Sequence, residues 1–131
     1  MALGGAGGEA AVAAAPQAPV IACGPAGPRG IIARIRPGDC VMYNLGSGDA
    51  GYWSIRGIRW RSWGGRVAPA RGTSVGRNLE SGEVIRRPAR VRATGLRHGC
   101  DGRLWYSRAR VTVGFGWVTL RLTTCPGPLP D

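Results

Sequence analysis

The chain has 131 residues, a length that suits one domain with a single core and is too short for two well-packed domains. Eighteen basic residues against seven acidic ones give a formal charge of +11, so the protein should attract polyanions. No run approaches the ~20 apolar residues of a membrane-spanning helix, and we expect no such span.

All of the basic residues are Arg. A GC-rich genome explains this bias better than selection for phosphate-binding guanidinium groups does. The absence of Lys is therefore weak evidence of function, and the arguments below depend on where the arginines lie.

Residues 1–18 are rich in Ala and Gly, lack a basic start and contain Glu9, so they do not have the pattern of an intact signal peptide. Two interpretations stay open, a flexible tail or the remnant of a signal peptide. The run at 13–15 is three alanines, which resembles a cleavage zone. We expect the folded domain at 19–125 and a Pro-rich tail at 126–131 that runs along the surface.

From Pro19 onward Gly and Pro recur too often for a long helix, and short alternating segments predict strands. The predicted strands are 19–23, 30–36, 40–44, 52–62, 66–76, 83–94, 104–113 and 117–124. Alternation with one apolar face favours an antiparallel sheet with one face in water. The prediction is an all-β sandwich or small barrel of about seven to eight short strands.

The strand predicted at 52–62 has one apolar and one cationic face. If Gly57 is the extra residue of a β-bulge, the alternation continues through it. The inward set is then Trp53, Ile55, Ile58 and Trp60, and the outward set is Arg56, Arg59 and Arg61.

Other strands follow the same rule. In the segment 31–36, the core set is Ile31, Ala33 and Ile35, opposite Arg34 and Arg36. In the last two strands, the core set is Trp105, Ala109, Val111, Val113, Val118, Leu120 and Leu122, opposite Arg108, Arg110 and Arg121. The residues Gly114-Phe115-Gly116 predict a tight hairpin between these strands.

Four widely spaced cysteines form no CxxC pair, which favours two disulfides and an oxidising compartment over free thiols or a zinc site. The predicted hairpin brings Cys100 and Cys125 to the same end of the sheet. We therefore predict a bond between these two, and Cys23 with Cys40 by elimination. No metal or cofactor is predicted.

Three patterns have the ingredients of a catalytic or nucleotide site. The motif GxGxxG occurs at 46–51, but a strand follows it where a dinucleotide site needs a helix, which favours a hairpin loop. His98, Cys100 and Asp101 offer acid/base and thiol chemistry, yet we expect a disulfide and a loop at 97–103. Glu80 and Glu83 fit a solvated loop better than a glycosidase pair. We predict no catalytic residue and a protein that is not an enzyme.

Arginines interleaved with aromatic residues suggest a binding surface for polyanions. The candidate binding residues are Arg34, Arg36, Arg59, Arg61, Trp63, Arg108, Arg110 and Arg121. If the core tryptophans are buried, only Trp63 and Tyr106 remain to stack against bases. General attraction to polyanions is therefore favoured over dedicated base recognition.

The run from Ile58 to Gly65, with Cys100-Asp-Gly102 and Tyr106, resembles a group of small exported actinobacterial proteins of unknown function. Their strand motif is hydrophobic-x-Trp-x-x-Trp-Gly, and the similarity covers roughly residues 51–113. The chain departs from the group in the Pro and Arg of segment 68–72. The resemblance implies a secreted β domain and no particular chemistry.

Together these features predict an extracellular or cell-surface, non-catalytic module with an arginine face. The expected partner is an acidic wall polymer, acidic lipid headgroups or an acidic protein. The alternative is an intracellular nucleic-acid-binding protein, which the charge favours and the cysteine count does not.

Overall fold

The computed structural model describes residues 17–24, 30–45 and 51–128, so the predicted tail at 1–18 and the GxGxxG segment lie almost wholly outside the described residues. All regular structure in these ranges is β, as predicted. The strands are β1 (Val20–Cys23), β2 (Ile32–Arg34), β3 (Cys40–Tyr43), β4 (Tyr52–Trp60), β5 (Ala68–Arg77), β6 (Val84–His98), β7 (Leu104–Val113) and β8 (Gly116–Arg121).

The eight strands form one sheet in the order β2-β1-β7-β6-β5-β4-β3, and β8 pairs with the second half of β7. Two backbone hydrogen bonds link β3 to the far side of this order. Gly24 N donates to Val41 O over 2.9 Å, and Leu45 N donates to Arg121 O over 2.8 Å. The sheet therefore curls into a half-barrel.

One pair of strands is parallel, which the prediction of an antiparallel sheet did not include. β1 runs alongside the start of β7, with Val20 beside Trp105 and Ile21 beside Tyr106. The rest of that edge of β7 is taken by β8. Because β1 and β7 are far apart in the chain, no local turn signal gives their relative direction.

The bulge predicted at Gly57 is confirmed. The β4–β5 register shifts between Arg56 and Arg59, and Gly57 has φ 58° while its N–H donates to Asp39 Oδ1 over 2.9 Å. Opposite the bulge, a Cβ on Gly72 would lie 2.9 Å from Arg56 O, so β5 requires a glycine there. The predicted inward residues of β4 are buried or half-buried, and its arginines are exposed.

Ile35 does not face the core as predicted, because β2 ends at Arg34 and the next turn begins. Ile35 is 58% exposed, and Arg36 adopts the left-handed region at φ 49°. Ile31 and Ala33 do pack inward, as expected.

β6 continues four residues past its predicted end at 94, to His98. The reason is that Gly95, at φ 72°, interrupts the alternation of side chains without ending the pairing with β7. Ala93 and Leu96 both contact the main core, although they are three residues apart. The predicted loop at 97–103 is thus shorter, since its first two residues belong to β6.

Two clusters make up the interior. The main core lies within the curled sheet and takes residues from β1 and from β3 to β8, and a smaller cluster is formed by other residues of β1 with Ile31 and Trp105. Trp105 belongs to the smaller cluster and Tyr106 to the main one, and both are fully buried. The pattern predicted Trp105 in one core with Ala109. This prediction is wrong for Trp105, because the alternation of side chains along β7 reverses between Tyr106 and Ala109. The reversal lies opposite Gly95 of β6.

Both predicted disulfides are present, Cys23–Cys40 and Cys100–Cys125. The first joins β1 to β3, and the second joins the β6–β7 turn to the segment after β8. They close loops of 17 and 25 residues, for which chain entropy predicts about 3 kcal/mol of stabilisation each. Two disulfides fit an oxidising environment.

The chain after β8 remains attached to the sheet as far as Gly127. Gly127 and Ile31 exchange two backbone hydrogen bonds of 2.7 and 3.0 Å. The predicted Pro-rich tail thus begins as an edge contact beside β2. Within the described ranges no helix has the length and apolar character to cross a membrane.

Candidate functional site

Arginines cover the outer surface of β4 to β8. The inner positions of these strands hold Trp60, Ala70, Val91, Val111 and Leu120, all buried. Because side chains alternate along a strand, the intervening residues point outward. We call the resulting surface the arginine face; it comprises Arg59, Arg61, Arg71, Arg90, Arg92, Arg108, Arg110 and Arg121, each of them exposed.

The register aligns these arginines in rows across the sheet. In the first row Arg59 lies directly opposite Arg71, which in turn lies opposite Arg90. Directly paired residues on neighbouring strands have Cβ atoms about 5 Å apart. Three cations from β4, β5 and β6 therefore stand side by side.

Two further rows continue the surface onto β7 and β8. Arg92 is paired with Arg110, and Arg108 is paired with Arg121. Arg61 follows the end of β4, where its N–H donates to Pro69 O over 2.8 Å, and Pro69 is the partner of Arg92. The second row thus extends from the end of β4 to β7.

No carboxylate neutralises this surface within the strands, because none of the eight strands contains Asp or Glu. Among the described residues, the ion pair that forms is Arg103 with Asp101, at 2.7 Å, in the β6–β7 turn. Like charges directly opposite each other destabilise a sheet. The arginine face therefore costs folding free energy and is available to an external anion.

Trp117 is the aromatic residue of this surface. It is 60% exposed and lies opposite Thr112, at the β8 end of the first row. The Cζ atom of Arg110 lies 3.9 Å from the centroid of the Trp117 ring, in a cation–π contact. The ring holds the Arg110 guanidinium against the sheet.

A shallow depression of about 480 Å³ lies beside the first row. Arg71 and Arg90 line it together with Pro88 and Thr112. Two guanidinium groups on one wall provide several N–H donors for a phosphate, sulfate or carboxylate group.

Five of the predicted binding arginines share this face, namely Arg59, Arg61, Arg108, Arg110 and Arg121. Arg34 and Arg36 do not belong to it. Arg34 lies on β2, the first strand in the order, which β1 separates from β7. Arg36 Nη2 donates to Trp60 O over 3.2 Å, at the edge of the half-barrel.

Arg71, Arg90 and Arg92 were missing from the predicted set, although they occupy the centre of the surface. The signal was present in the sequence, because they alternate with the buried residues Ala70 and Val91. Small alanines at the inner positions made the alternation in β5 and β6 less conspicuous than in β4.

Trp63 and Tyr106 pack together at the main core, away from the arginine face. The Trp63 ring contacts those of Trp60 and Tyr106 edge-on, at 4.7 and 5.1 Å, and its Nε1 donates to Pro19 O over 3.0 Å. The Tyr106 hydroxyl donates to Gly65 O over 2.7 Å and accepts from Gly64 N over 3.0 Å. Burial raises the pKa of Tyr106. Tyr106 is therefore not available to stack on a base, as the nucleic-acid alternative would require.

His98 ends β6, and Cys100 and Asp101 lie in the turn that follows it. Cys100 is bonded to Cys125, so it has no thiol to react. Asp101 Oδ1 accepts hydrogen bonds from Trp105 Nε1 at 2.8 Å and Arg103 N at 3.1 Å. The bond from Trp105 and the neighbouring Arg103 lower the pKa of Asp101 to about 2. A carboxylate so strongly ionised anchors Trp105 and is a poor proton donor.

Glu80 and Glu83 lie exposed in the β5–β6 turn, as expected. Asn78 Oδ1 accepts from the N–H groups of Glu80 and Ser81, and Ser81 Oγ accepts from Glu83 N. In these contacts the side chains of Asn78 and Ser81 accept hydrogen bonds from backbone N–H groups, as is common in turns.

In the part of the chain that the structure describes, no three His, Cys, Asp or Glu side chains come together in a way that could hold a metal ion. No family model matches the chain, and neither a curated protein nor a solved structure is similar enough to count as a match.

Proposed function

We propose that this protein is an exported, non-catalytic β module that binds an anionic cell-surface partner through the arginine face. The observation that carries the proposal is the alignment of eight exposed arginines over five strands that contain no carboxylate. A bound polyanion would replace the missing counter-charges and release small ions into solution.

The cost of this surface supports the proposal. Four directly paired positions place Arg opposite Arg, at 59/71, 71/90, 92/110 and 108/121. A bias in genome composition explains many arginines, but it does not explain why they are aligned on one face while the carboxylates are confined to other segments.

Export and the lack of catalysis have separate support. Two disulfides are stable in oxidising compartments outside the cytoplasm. The resemblance to small exported actinobacterial proteins agrees with this location. The residues with catalytic potential are engaged otherwise, Cys100 in a disulfide and Asp101 in a turn.

Charge reversal at the centre of the face tests the proposal. The double variant Arg92→Glu/Arg110→Glu should bind linear polyphosphate and duplex DNA much more weakly than the native protein. For DNA, the slope of log K against log salt should become shallower by about two, since each phosphate contact contributes about −0.9. Equal affinities for the native protein and the variant would contradict the proposal.

The matched control is Arg34→Glu/Arg87→Glu, which changes the net charge by the same amount. Arg34 lies on β2, and Arg87 is on the side of β6 opposite the arginine face. This control should keep most of the affinity. If both double variants lose affinity equally, net charge alone attracts the polyanion and the face is not a site.

The same titration addresses the nucleic-acid alternative. Since Trp63 and Tyr106 are tied into the interior, Trp117 and the hairpin-tip residue Phe115 are left as the rings beside the arginines, which provides little surface for base stacking. We expect no preference among base sequences. A strong preference that survives high salt would favour the nucleic-acid-binding function.

A further inference from the structure

The tip of the β7–β8 hairpin presents an apolar side chain at the end of the arginine face. Phe115 is completely exposed, and Trp117 two residues later is 60% exposed. Val113 and Gly116 are the last pair of the ladder, so the turn consists of Gly114 and Phe115. Gly114 has φ 60° and Phe115 is not in the positive-φ region, the pattern of a type II′ turn.

The turn needs the glycine, but it does not need the phenylalanine. A type II′ turn favours Gly at its first central position and accepts polar residues at the second. Phe115 belongs to neither core cluster. Its exposure therefore contributes nothing to the fold and leaves a large apolar surface in water.

The tip adjoins the cations of the sheet. Trp117 lies opposite Thr112, which lies opposite Arg90 in the first row. Two residues of strand correspond to about 7 Å, so Phe115 lies within about that distance of the end of the row, measured along the strand direction. Arg110 also stacks on the Trp117 ring. One surface thus combines a basic area with an aromatic tip.

We infer that the anionic partner is the surface of an acidic lipid bilayer, into which the Phe115 tip inserts while the arginine face contacts the headgroups. This inference rests on the proposed function and narrows its partner. A projecting apolar ring gains little from a hydrated polymer, which offers no pocket, but it is buried at the boundary between headgroups and acyl chains. Each Arg near an anionic membrane surface adds to the electrostatic attraction.

Vesicle binding by hairpin-tip variants tests the inference. Phe115→Ser should weaken binding to phosphatidylglycerol vesicles about tenfold, because the variant loses the burial of the apolar ring. Phosphatidylcholine vesicles should bind the native protein far more weakly, because they lack the net negative charge. Sedimentation with the vesicles measures both effects.

Leu79→Ser is the matched control. Leu79 is 96% exposed at the β5–β6 turn, so the substitution also replaces an exposed apolar residue at a hairpin end. That turn carries Glu80 and Glu83, which an anionic membrane repels. The control should bind vesicles like the native protein. Equal losses in both variants would contradict a specific role of the Phe115 tip.

Soluble polyphosphate separates this inference from the proposed function. Phe115→Ser should bind it like the native protein, whereas Arg92→Glu/Arg110→Glu should bind neither polyphosphate nor vesicles well. If the arginine variant loses polyphosphate binding but Phe115→Ser binds vesicles like the native protein, the membrane inference is wrong and the proposed function is still supported. If Phe115→Ser instead weakens binding to single-stranded nucleic acid, the tip stacks on bases and the inference is wrong.

Discussion

The inner and outer faces of β4 to β8 are made by alternate residues of the same strands, and they differ in how their polar groups are satisfied. Inside, Trp60 Nε1 donates to Pro37 O over 2.8 Å, and the Tyr106 hydroxyl has two backbone partners. Outside, Arg59, Arg71 and Arg90 are aligned without an acidic partner in the strands. The inner face stabilises the fold, whereas the aligned cations of the outer face oppose it through like-charge repulsion.

Small and large side chains complement each other on the inner face. Alanines occupy inner positions of β5, β6 and β7, and all of them are buried; they are Ala68, Ala70, Ala89, Ala93 and Ala109. They leave room for the rings of Trp60 and Tyr106, which the curled sheet encloses. This packing provides the stability that the like charges outside reduce.

The largest difference between the faces should appear at adjacent residues of β4. Trp60→Ala is expected to lower the free energy of unfolding by about 3 to 5 kcal/mol, because it empties a buried aromatic site. Arg59→Ala should change it by no more than about 0.5 kcal/mol. Urea unfolding measures both. If the alanine at 59 unfolded the domain and the one at 60 did not, the inside and outside of β4 would be reversed.

Backbone contact at the bulge should give the next largest effect. Gly72→Ala places a methyl group 2.9 Å from Arg56 O and 3.0 Å from Ile55 Cγ2, so we expect a loss of about 1 to 3 kcal/mol. Gly76→Ala, in the same strand with nothing within 4 Å, should be neutral or slightly stabilising. Thermal unfolding measures the stability of both variants. A Gly76→Ala protein less stable than Gly72→Ala would contradict the close contact opposite the bulge.

On the outer face, removing a charge should stabilise the protein. Arg71 lies between Arg59 and Arg90, so Arg71→Thr is expected to raise the free energy of unfolding by about 0.2 to 1 kcal/mol at low salt. The gain should shrink as salt screens the repulsion. Arg34→Thr is the control, since Arg34 is paired with Ile21. A destabilised Arg71→Thr protein, at any salt concentration, would contradict the account of this face.

The smallest effect concerns acid stability at the β6–β7 turn. The pKa of Asp101 is lowered to about 2 in the folded protein, against 3.8 ordinarily. The folded state therefore binds this proton less readily than the unfolded state, and the stabilisation is present above about pH 4 and lost as the pH falls toward 2. Asp101→Asn should flatten the stability profile in this window. An unchanged profile would show that the Asp101–Trp105 contact does not contribute.

The alternation of side chains and the turn residues predicted those features of the fold that depend on neighbouring residues in the sequence. The Gly57 bulge, the Gly114 turn and the positions of all eight strands follow from alternation and turn residues, and the Cys100–Cys125 bond follows from the hairpin between its ends. The parallel β1–β7 pair and the burial of both Trp105 and Tyr106 depend on contacts between distant segments. Gly95 reverses the alternation there, and nothing beside it in the sequence marks that reversal.

The candidate site was predicted in part for the same reason. Arg59 and Arg61 alternate with large apolar residues, which made their direction evident. Arg71, Arg90 and Arg92 alternate with Ala and Val, and the rows that they complete exist only through pairing across strands.

Thermal unfolding with a polyanion tests most directly whether the arginine face is a binding site. At equal ionic strength, linear polyphosphate should raise the Tm of the native protein more than monomeric phosphate does, since a ligand present at 100 times its Kd stabilises the folded state by about 2.7 kcal/mol. This rise should vanish in Arg92→Glu/Arg110→Glu and persist in Arg34→Glu/Arg87→Glu. The same rise in all three proteins, or none in the native protein, would contradict the account.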